Sequence, residues 1–381
     1  MNLAAFYIFC IFAVLIYISF ILFLNFHWIK YKNPGIVPEQ SEVPFVSIII
    51  SGRNEEENIE NCIDSILAND YPLEKYEIIY IDDESEDNSI GILKSINAMN
   101  FTWLRFKDIV DLPDTNNHKK EAINAGIKIA KGKIILQTDA DTIVGKKWII
   151  SHASQYVQNK NLKLVTAPVI FKKGTSILEY FQYYDLLTTM GVTAAGIASK
   201  RFYMANGANM SYRKETYLNS VSESEYASGD DMFLIQETAV KYKESVLFLK
   251  NKNAVVTTYP EKTLKTLLRQ RLRWATKTKA YKDKNLQFTV AFVFVVNLLV
   301  LINLLLFFFY GITQLIFFLI LFLLKSFADS YFISNISKFF GKKINCFYLL
   351  LSLFWYPLYL VFIGTASFFT KKYYWKGRMV K

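Results

Sequence analysis

Cysteine and histidine are scarce, with three of each in 381 residues. Cys10, Cys62 and Cys346 share no metal-ligand spacing, which excludes a cysteine-built metal centre. Two of them fall in or at the edge of long apolar runs and Cys62 on the apolar face of an expected helix, so all three read as buried bystanders. His118 and His152 read as surface residues rather than ligands. No recognised nucleic-acid motif occurs, and the basic residues gather beside apolar runs rather than on one helix with interleaved aromatics, which makes a nucleic-acid partner the weaker reading. Charge is absent from residues 3–26 and from residues 288–324. Spans so poor in ionisable groups, and so few, count against a pure transporter.

What the chain has in abundance is apolar surface: 52% apolar and 16% aromatic residues, too greasy a content for an ordinary soluble domain. Residues 3–26 exceed the roughly 20 residues needed to cross a hydrocarbon core. The run is too long for a removable signal peptide and has no small-residue cleavage site. Lys30 and Lys32 follow it and, by the positive-inside rule, place the next segment in the cytoplasm and the N-terminus outside. Residues 288–324 read as a helical hairpin broken at Tyr310 and Gly311, followed by a cytoplasmic loop from Lys325 to Asn345 and a last span from Cys346 to Phe369 interrupted by Pro357. That count sends the C-terminus outward, against the basic tail KKYYWKGRMVK. Either the last segment is re-entrant around Pro357 or a short tail escapes the charge bias. The net charge of +11, from 44 Lys and Arg against 33 Asp and Glu, suits a cytoplasmic face meeting anionic lipid. The resulting organisation is an anchor at 1–27, a cytosolic domain at 44–260, an interfacial helix at 261–285 and a C-terminal membrane region at 286–372.

Within 44–260, apolar strand-like runs alternate with amphipathic segments, the pattern of an α/β domain. PFVSIII is the first strand. Asn54 and Glu57 stand at capping-box spacing before Ile59, Cys62, Ile63, Ile66 and Leu67, which recur at helical intervals. YEIIYIDDESEDNS supplies a second strand and a polar turn, FTWLRF a third strand, HKKEAINAGIKIAKG a helix, and KIILQT the strand that delivers Asp139 and Asp141. In open sheets of this kind ligands bind beyond the carboxyl ends of the strands, where Asp82 with Asp83 and Asp139 with Asp141 are both expected. Two close carboxylates at a strand end suit Mg2+ or Mn2+, which usually bind through one or two carboxylates plus substrate phosphates, and so imply a nucleotide diphosphate. The later acidic pair, Asp230 and Asp231, is then available as a base. Taken singly, each motif is an ordinary solvated turn or a basic interfacial helix. Their specificity lies in their order and strand context.

VSIIISGRNEEENI, IYIDDESEDNS, KKEAINAGIKIAKGKIILQTDAD, GDDMFL and QRLRW follow one another as in family 2 glycosyltransferases, which this chain resembles over residues 44 to about 280. The resemblance implies a GT-A fold, a mixed α/β sheet flanked by helices, here carrying N-terminal and C-terminal transmembrane helices. It implies that Asp82 and Asp83 contact the uracil and ribose of a UDP-sugar, and that Asp139 and Asp141 hold the metal. Asp231 is the implied base; because many relatives have ED or TED where this chain has GDD, Asp230 stays open as a substitute. Lys119 and Asn124 match a donor-contacting GKxxALN segment in which His118 replaces the usual glycine. Gly207 and Asn209, in ANGANMSYRKE, resemble an acceptor-side turn.

QRLRW resembles the QxxRW signature of cellulose, chitin and hyaluronan synthases and of ceramide glucosyltransferases. Physically, Arg273 suits charge-assisted bonds to a diphosphate, Gln270 a hydrogen bond to acceptor or phosphate, and Trp274 stacking on the acceptor. The implied activity is inverting transfer of a sugar from a nucleotide-diphosphate donor to a lipid-linked or saccharide acceptor at the cytoplasmic face of a membrane. Two other readings are a polyprenyl-phosphate sugar synthase, which QRLRW argues against, and a non-catalytic nucleotide-responsive subunit of a polysaccharide complex, in which broken acidic motifs would be expected. Four spans are few for a polymer channel built by one chain.

Overall fold

The computed structural model describes residues 3–32, 35, 43–109, 118–220, 230–370, 373–375 and 378–380. Gly229 of the GDD segment and residues 371, 372, 376, 377 and 381 of the basic tail lie outside them. The chain divides into two compact units: a helical one formed by Met1–Tyr31, Lys173–Phe202 and Pro260–Lys371, and a sheet-bearing one formed by Lys32–Lys172, Tyr203–Tyr259 and Lys372–Lys381.

The strands of the second unit are β1 (Val46–Gly52), β2 (Tyr76–Asp82), β3 (Phe101–Arg105), β4 (Ile134–Asp139), β5 (Ile143–Val144), β6 (Leu164–Thr166), β7 (Val169–Phe171), β8 (Met210–Arg213), β9 (Val246–Phe248) and β10 (Val256–Thr258). Seven of them form a mixed sheet in the order β3-β2-β1-β4-β8-β6-β9, and β5-β10-β7 form a small second sheet. A hairpin of β11 (Tyr373–Trp375) and β12 (Arg378–Val380) completes the set. Strand β1 lies inside the sheet with Ile48, Ile49 and Ile50 wholly buried, the continuous apolar run of a parallel strand covered on both faces. It pairs in parallel with β2 and with β4, in registers that set Gly52 beside Asp82 and Ser51 beside Asp139. Strand β8 runs antiparallel to β4, with Met210 beside Gln137, so the turn that precedes β8 arrives at the same edge.

The helix after β1 spans Ile59–Leu67 and buries Ile59, Cys62, Ile63 and Ile66 as the periodicity predicts. Its start corrects the capping-box expectation. Asn58 occupies the N-cap with no side-chain cap bond. Asn54 has φ +53° and accepts a hydrogen bond from the backbone of Glu86 (2.8 Å), because parallel pairing of β1 and β2 brings their two following loops together.

His152 is not a surface residue. It is fully buried on the helix Trp148–Gln158, with Nδ1 2.9 Å from Ser211 Oγ and Nε2 3.1 Å from Asn209 Oδ1. An amide oxygen can only accept, so Nε2 carries the proton and Nδ1 accepts from Ser211. Asn209 is used up in the same network: Oδ1 also accepts from Trp148 Nε1 (2.9 Å), and Nδ2 donates to the carbonyls of Pro168 and Ala254 (2.7 Å each).

Among the described residues, the helical unit has four helices long and apolar enough to cross a membrane: Leu3–Lys30, Lys284–Tyr310, Ile312–Phe339 and Cys346–Phe369. Gly311, at φ +67°, makes the expected break between the second and third. The stretch expected as a loop from Lys325 is instead helical to Phe339. Lys325 and Asp329, one turn apart on that helix, form a buried pair at 2.7 Å, and Tyr17 Oη donates to Asp329 Oδ1 at 2.7 Å. Mutual pairing lets both charges stay inside an apolar bundle, so the spans are not as free of charge as expected. Pro357 sits within an uninterrupted helix, which gives no support to a re-entrant break. Cys346 is exposed, unlike Cys10 and Cys62. The helix Ile177–Ala198, expected in the cytosolic domain, belongs to this unit; its capping box is Ser176 with Glu179.

The His152 network generates a pH prediction. Burial lowers its pKa from 6.5 to about 4, with the Asn209 bond opposing. Between those values the unfolded chain binds the proton more tightly, so the stability held by the neutral ring is complete above about pH 6.5 and is lost as pH falls toward 4, on the order of 3 kcal/mol in all. Melting of the full chain in detergent is expected to show the gap between wild type and His152→Gln narrowing by several degrees as pH falls from 7 to 4.5. A gap that stays constant contradicts this.

Candidate active site

The loops after β1 and β2 are laced together at the sheet edge. Ser85 Oγ accepts from the backbone N–H of Asn54, Ser89 Oγ from that of Glu55, and Glu56 Oε2 from that of Asn88. Arg53, which sequence reasoning passed over, is 3% exposed and donates to the carbonyls of Asp83 and Glu84 and to Glu86 Oε1 (2.7 Å). The sequence signal for it is only a lone basic residue at the end of an apolar strand. Within this frame Asp82 is fully buried; Oδ2 accepts from the backbone of Ser85 (3.2 Å), while Oδ1 has no hydrogen-bond partner among the described residues. A buried carboxylate oxygen left without a donor is costly unless something else supplies one, which makes Asp82 a receptor for an incoming N–H or O–H. Asp83 Oδ1 lies 3.2 Å from His118 Nδ1, and Asp83, Glu84 and His118 bring ligand atoms within 4.8 Å of one another.

At the end of β4, Lys119 Nζ lies 2.7 Å from Asp139 Oδ1, and Thr258 Oγ1, on β10, donates to Asp141 Oδ2 (3.2 Å). Beneath them Cys62 is buried, its Sγ 3.6 Å from the carbonyl of Asp139, and burial pushes its thiol up to about 12, so it is inert. Two partly buried carboxylates on one turn, with a lysine and a hydroxyl beside them, form a hard oxygen donor set that fits Mg2+ or Mn2+. Asp83, Glu84 and His118 form a second, nitrogen-containing group. Asn124, matched to the same segment as Lys119, donates to Glu121 Oε2 (3.4 Å).

The turn before β8 receives the third acidic element from the first turn of the helix Asp230–Lys241. Asp231 Oδ2 accepts from the backbone N–H of Gly207 (2.8 Å) and Oδ1 from that of Met232 (2.9 Å). Thr138 Oγ1 donates to the carbonyl of Ala208 (2.8 Å), tying the turn to the end of β4. Asp231 is thereby drawn to the edge that carries Asp82 and Asp139. Asp230 contributes instead to raising the pKa of Tyr212 and Tyr217, after their burial. The acceptor-side expectation for Asn209 is corrected: a side chain with no exposure and every polar atom committed supports the turn from below.

In the helical unit, QRLRW lies on the helix Leu264–Ala275. Gln270 Nε2 donates to Glu261 Oε1 (2.9 Å), and its Oε1 is buried without a partner among the described residues. Arg271 is 5% exposed, pairs with Asp185 at 2.9 Å and lays its guanidinium 4.3 Å from the centre of the Trp274 ring. One face of that ring is therefore taken by Arg271. Burial raises the Asp185 pKa while Arg271 opposes the shift.

Residues 47–215 match the family model described as Glycosyl transferase family 2. Among curated proteins, the poly-beta-1,6-N-acetyl-D-glucosamine synthase of Staphylococcus epidermidis is 26% identical over 240 residues, 62% of this chain and 55% of that protein. The poly(ribitol-phosphate) beta-glucosyltransferase of Bacillus spizizenii is 35% identical over 107 residues, 28% of this chain and 16% of that protein. The chain thus spans about half the length of the first and less of the second. Among solved structures, the mannosyltransferase PcManGT from Pyrobaculum calidifontis in complex with GDP-Man and Mn2+ superposes with a TM-score of 0.60 at 16% identity, covering 96% of this chain and 99% of that one. That likeness shows a shared fold, the GT-A arrangement with membrane-length helices that the motifs imply. Over residues 47–215, somewhat under half of its length, the chain is similar to glycosyl transferase family 2.

Proposed function

We propose that this protein transfers a sugar, with inversion, from a nucleotide-diphosphate donor, UDP-linked, to a lipid-linked or saccharide acceptor at the cytoplasmic face of a membrane. The observation that carries the reading is the strand register that sets Asp82, Asp139 and the Gly207 turn holding Asp231 at one sheet edge. Asp82 Oδ1, buried and lacking a donor, receives an N–H of the base, and Asp83 extends the contact toward the ribose. Asp139 and Asp141 would hold Mg2+ or Mn2+, which, when bound, neutralises charge growing on the departing diphosphate. Lys119, already 2.7 Å from Asp139, adds a positive charge beside that group. Asp231, oriented by two backbone N–H groups, takes the proton from the attacking acceptor hydroxyl. Arg273 supports the diphosphate. Gln270 and Trp274 receive the acceptor, with Arg271 stiffening the tryptophan through its stacked guanidinium.

Metal dependence tests the donor half. Chelation with EDTA is expected to abolish release of UDP from a UDP-sugar, and added Mn2+ or Mg2+ to restore it. Asp141→Asn is expected to cut turnover by orders of magnitude with membrane insertion intact. Full activity in EDTA refutes the metal assignment.

The acceptor half rests on the base. Asp231→Asn keeps size and loses proton affinity, so turnover is expected to fall roughly 10²- to 10⁴-fold with donor affinity nearly unchanged. An active Asp231→Asn beside a dead Asp230→Asn moves the base one residue upstream.

A further inference from the structure

The helical unit contains a partly open cavity of about 110 Å³ whose wall is mostly apolar, with Tyr17, Phe181 and Tyr356 among its aromatics. Two carboxylates interrupt that wall, Asp185 and Asp329, together with the hydroxyl-bearing Thr188. Ionisable groups set among membrane-length helices are expensive and mark sites. Each carboxylate has its own cation, Asp185 with Arg271 at 2.9 Å and Asp329 with Lys325 at 2.7 Å. Among the described residues neither cation lines the cavity: Lys325 Nζ lies behind its wall, 5.1 Å from the centre of the Tyr17 ring and 5.5 Å from that of Tyr356, so the wall itself offers carboxylate and hydroxyl oxygens.

That wall selects its occupant. A carboxylate accepts through about four lone-pair sites, so Asp185 beside Arg271, and Asp329 beside Lys325 and the Tyr17 hydroxyl, retain capacity for donors such as hydroxyl groups. A phosphate would face two carboxylates, with Lys325 screened from it by the Tyr17 and Tyr356 rings and already paired to Asp329. The remaining surface, apolar and aromatic, suits methylenes. A cavity of 150 Å³ takes a benzene molecule, so this volume suits a glycerol-sized group and the first carbons attached to it.

We propose that this cavity binds a neutral, hydroxyl-bearing lipid of the monoacylglycerol class, the head group resting at Asp185 and Asp329 and the acyl chain leaving between the apolar helices. The proposal rests on the transferase reading only for its second part, that this lipid class is the acceptor. Asp185 supports that part, because the same side chain joins the cavity wall to Arg271 and, through its stacked guanidinium, to Trp274 of QRLRW.

The test uses the full chain in phosphatidylcholine nanodiscs with a monoacylglycerol that carries a diazirine near the head group. After irradiation, label is expected on peptides containing residues 181–192 and 349–356, displaced by excess monoolein and not by the same amount of monooleoylglycerol phosphate. Val192→Trp, which fills the cavity, is expected to lower labelling about tenfold. Leu323→Trp, on an exposed face, is expected to leave it unchanged. Label confined to exposed residues, or equal displacement by the phosphate-bearing lipid, overturns the site, and the competition on wild type decides this even if Val192→Trp fails to fold. Labelling needs no turnover. A labelled chain that never releases UDP keeps the site and loses the acceptor role, whereas an unlabelled chain that does release UDP loses the site and keeps the transferase reading.

Discussion

The candidate site hangs from the parallel pairing of one buried strand, Val46–Gly52, with a strand on either side. Backbone hydrogen bonds fix the ends of the three strands, so Asp82 and Asp139 reach one edge as a consequence of register rather than of any attraction between them. Carboxylates do not gather of their own accord. The ladder of loop hydrogen bonds around Arg53, and the antiparallel strand that returns the Gly207 turn to the same edge, complete a frame into which the acids are built.

Holding several acids at one edge has an electrostatic cost, and the fold offsets it locally. Lys119 lies on Asp139, and two backbone N–H groups on Asp231. The compensation is partial, since Asp82 Oδ1 is buried with no donor among the described residues. Buried polar groups left in this way are the ones a ligand can satisfy, and on the proposed reading that ligand is a donor bringing both an N–H and a cation. The helical unit handles charge in the opposite manner. There Lys325 is paired with Asp329 and Arg271 with Asp185, and the proposed cavity draws on the carboxylate lone pairs left over.

Much of this was legible in the chain because it depends on local pattern. The apolar run of β1, the helical repeat through Ile59, Cys62, Ile63 and Ile66, the acids closing β2 and β4, and the Gly311 break follow from periodicity and residue type. What was illegible depends on partners distant in sequence. His152 looks like any polar residue on a helix until Ser211 and Asn209 meet it from another strand. Asn54 and Glu57 have the spacing of a cap, yet the neighbouring loop takes Asn54 for itself. Lys325 reads as the end of a span because nothing nearby in the chain announces Tyr17, more than three hundred residues upstream, as the partner that orients Asp329. Arg53 is invisible for the same reason, since its acceptors are carbonyls of a different loop.

The central claim is that strand register assigns the nucleoside to Asp82 and the cation to Asp139 with Asp141. A structure of the full chain with UDP and Mn2+, the ion located by its anomalous scattering, tests this most directly. The account predicts a single strong peak within coordination distance of Asp139 or Asp141, with the uracil against Asp82. An ion held instead by Asp83, Glu84 and His118, with Asp139 still paired to Lys119, would contradict it.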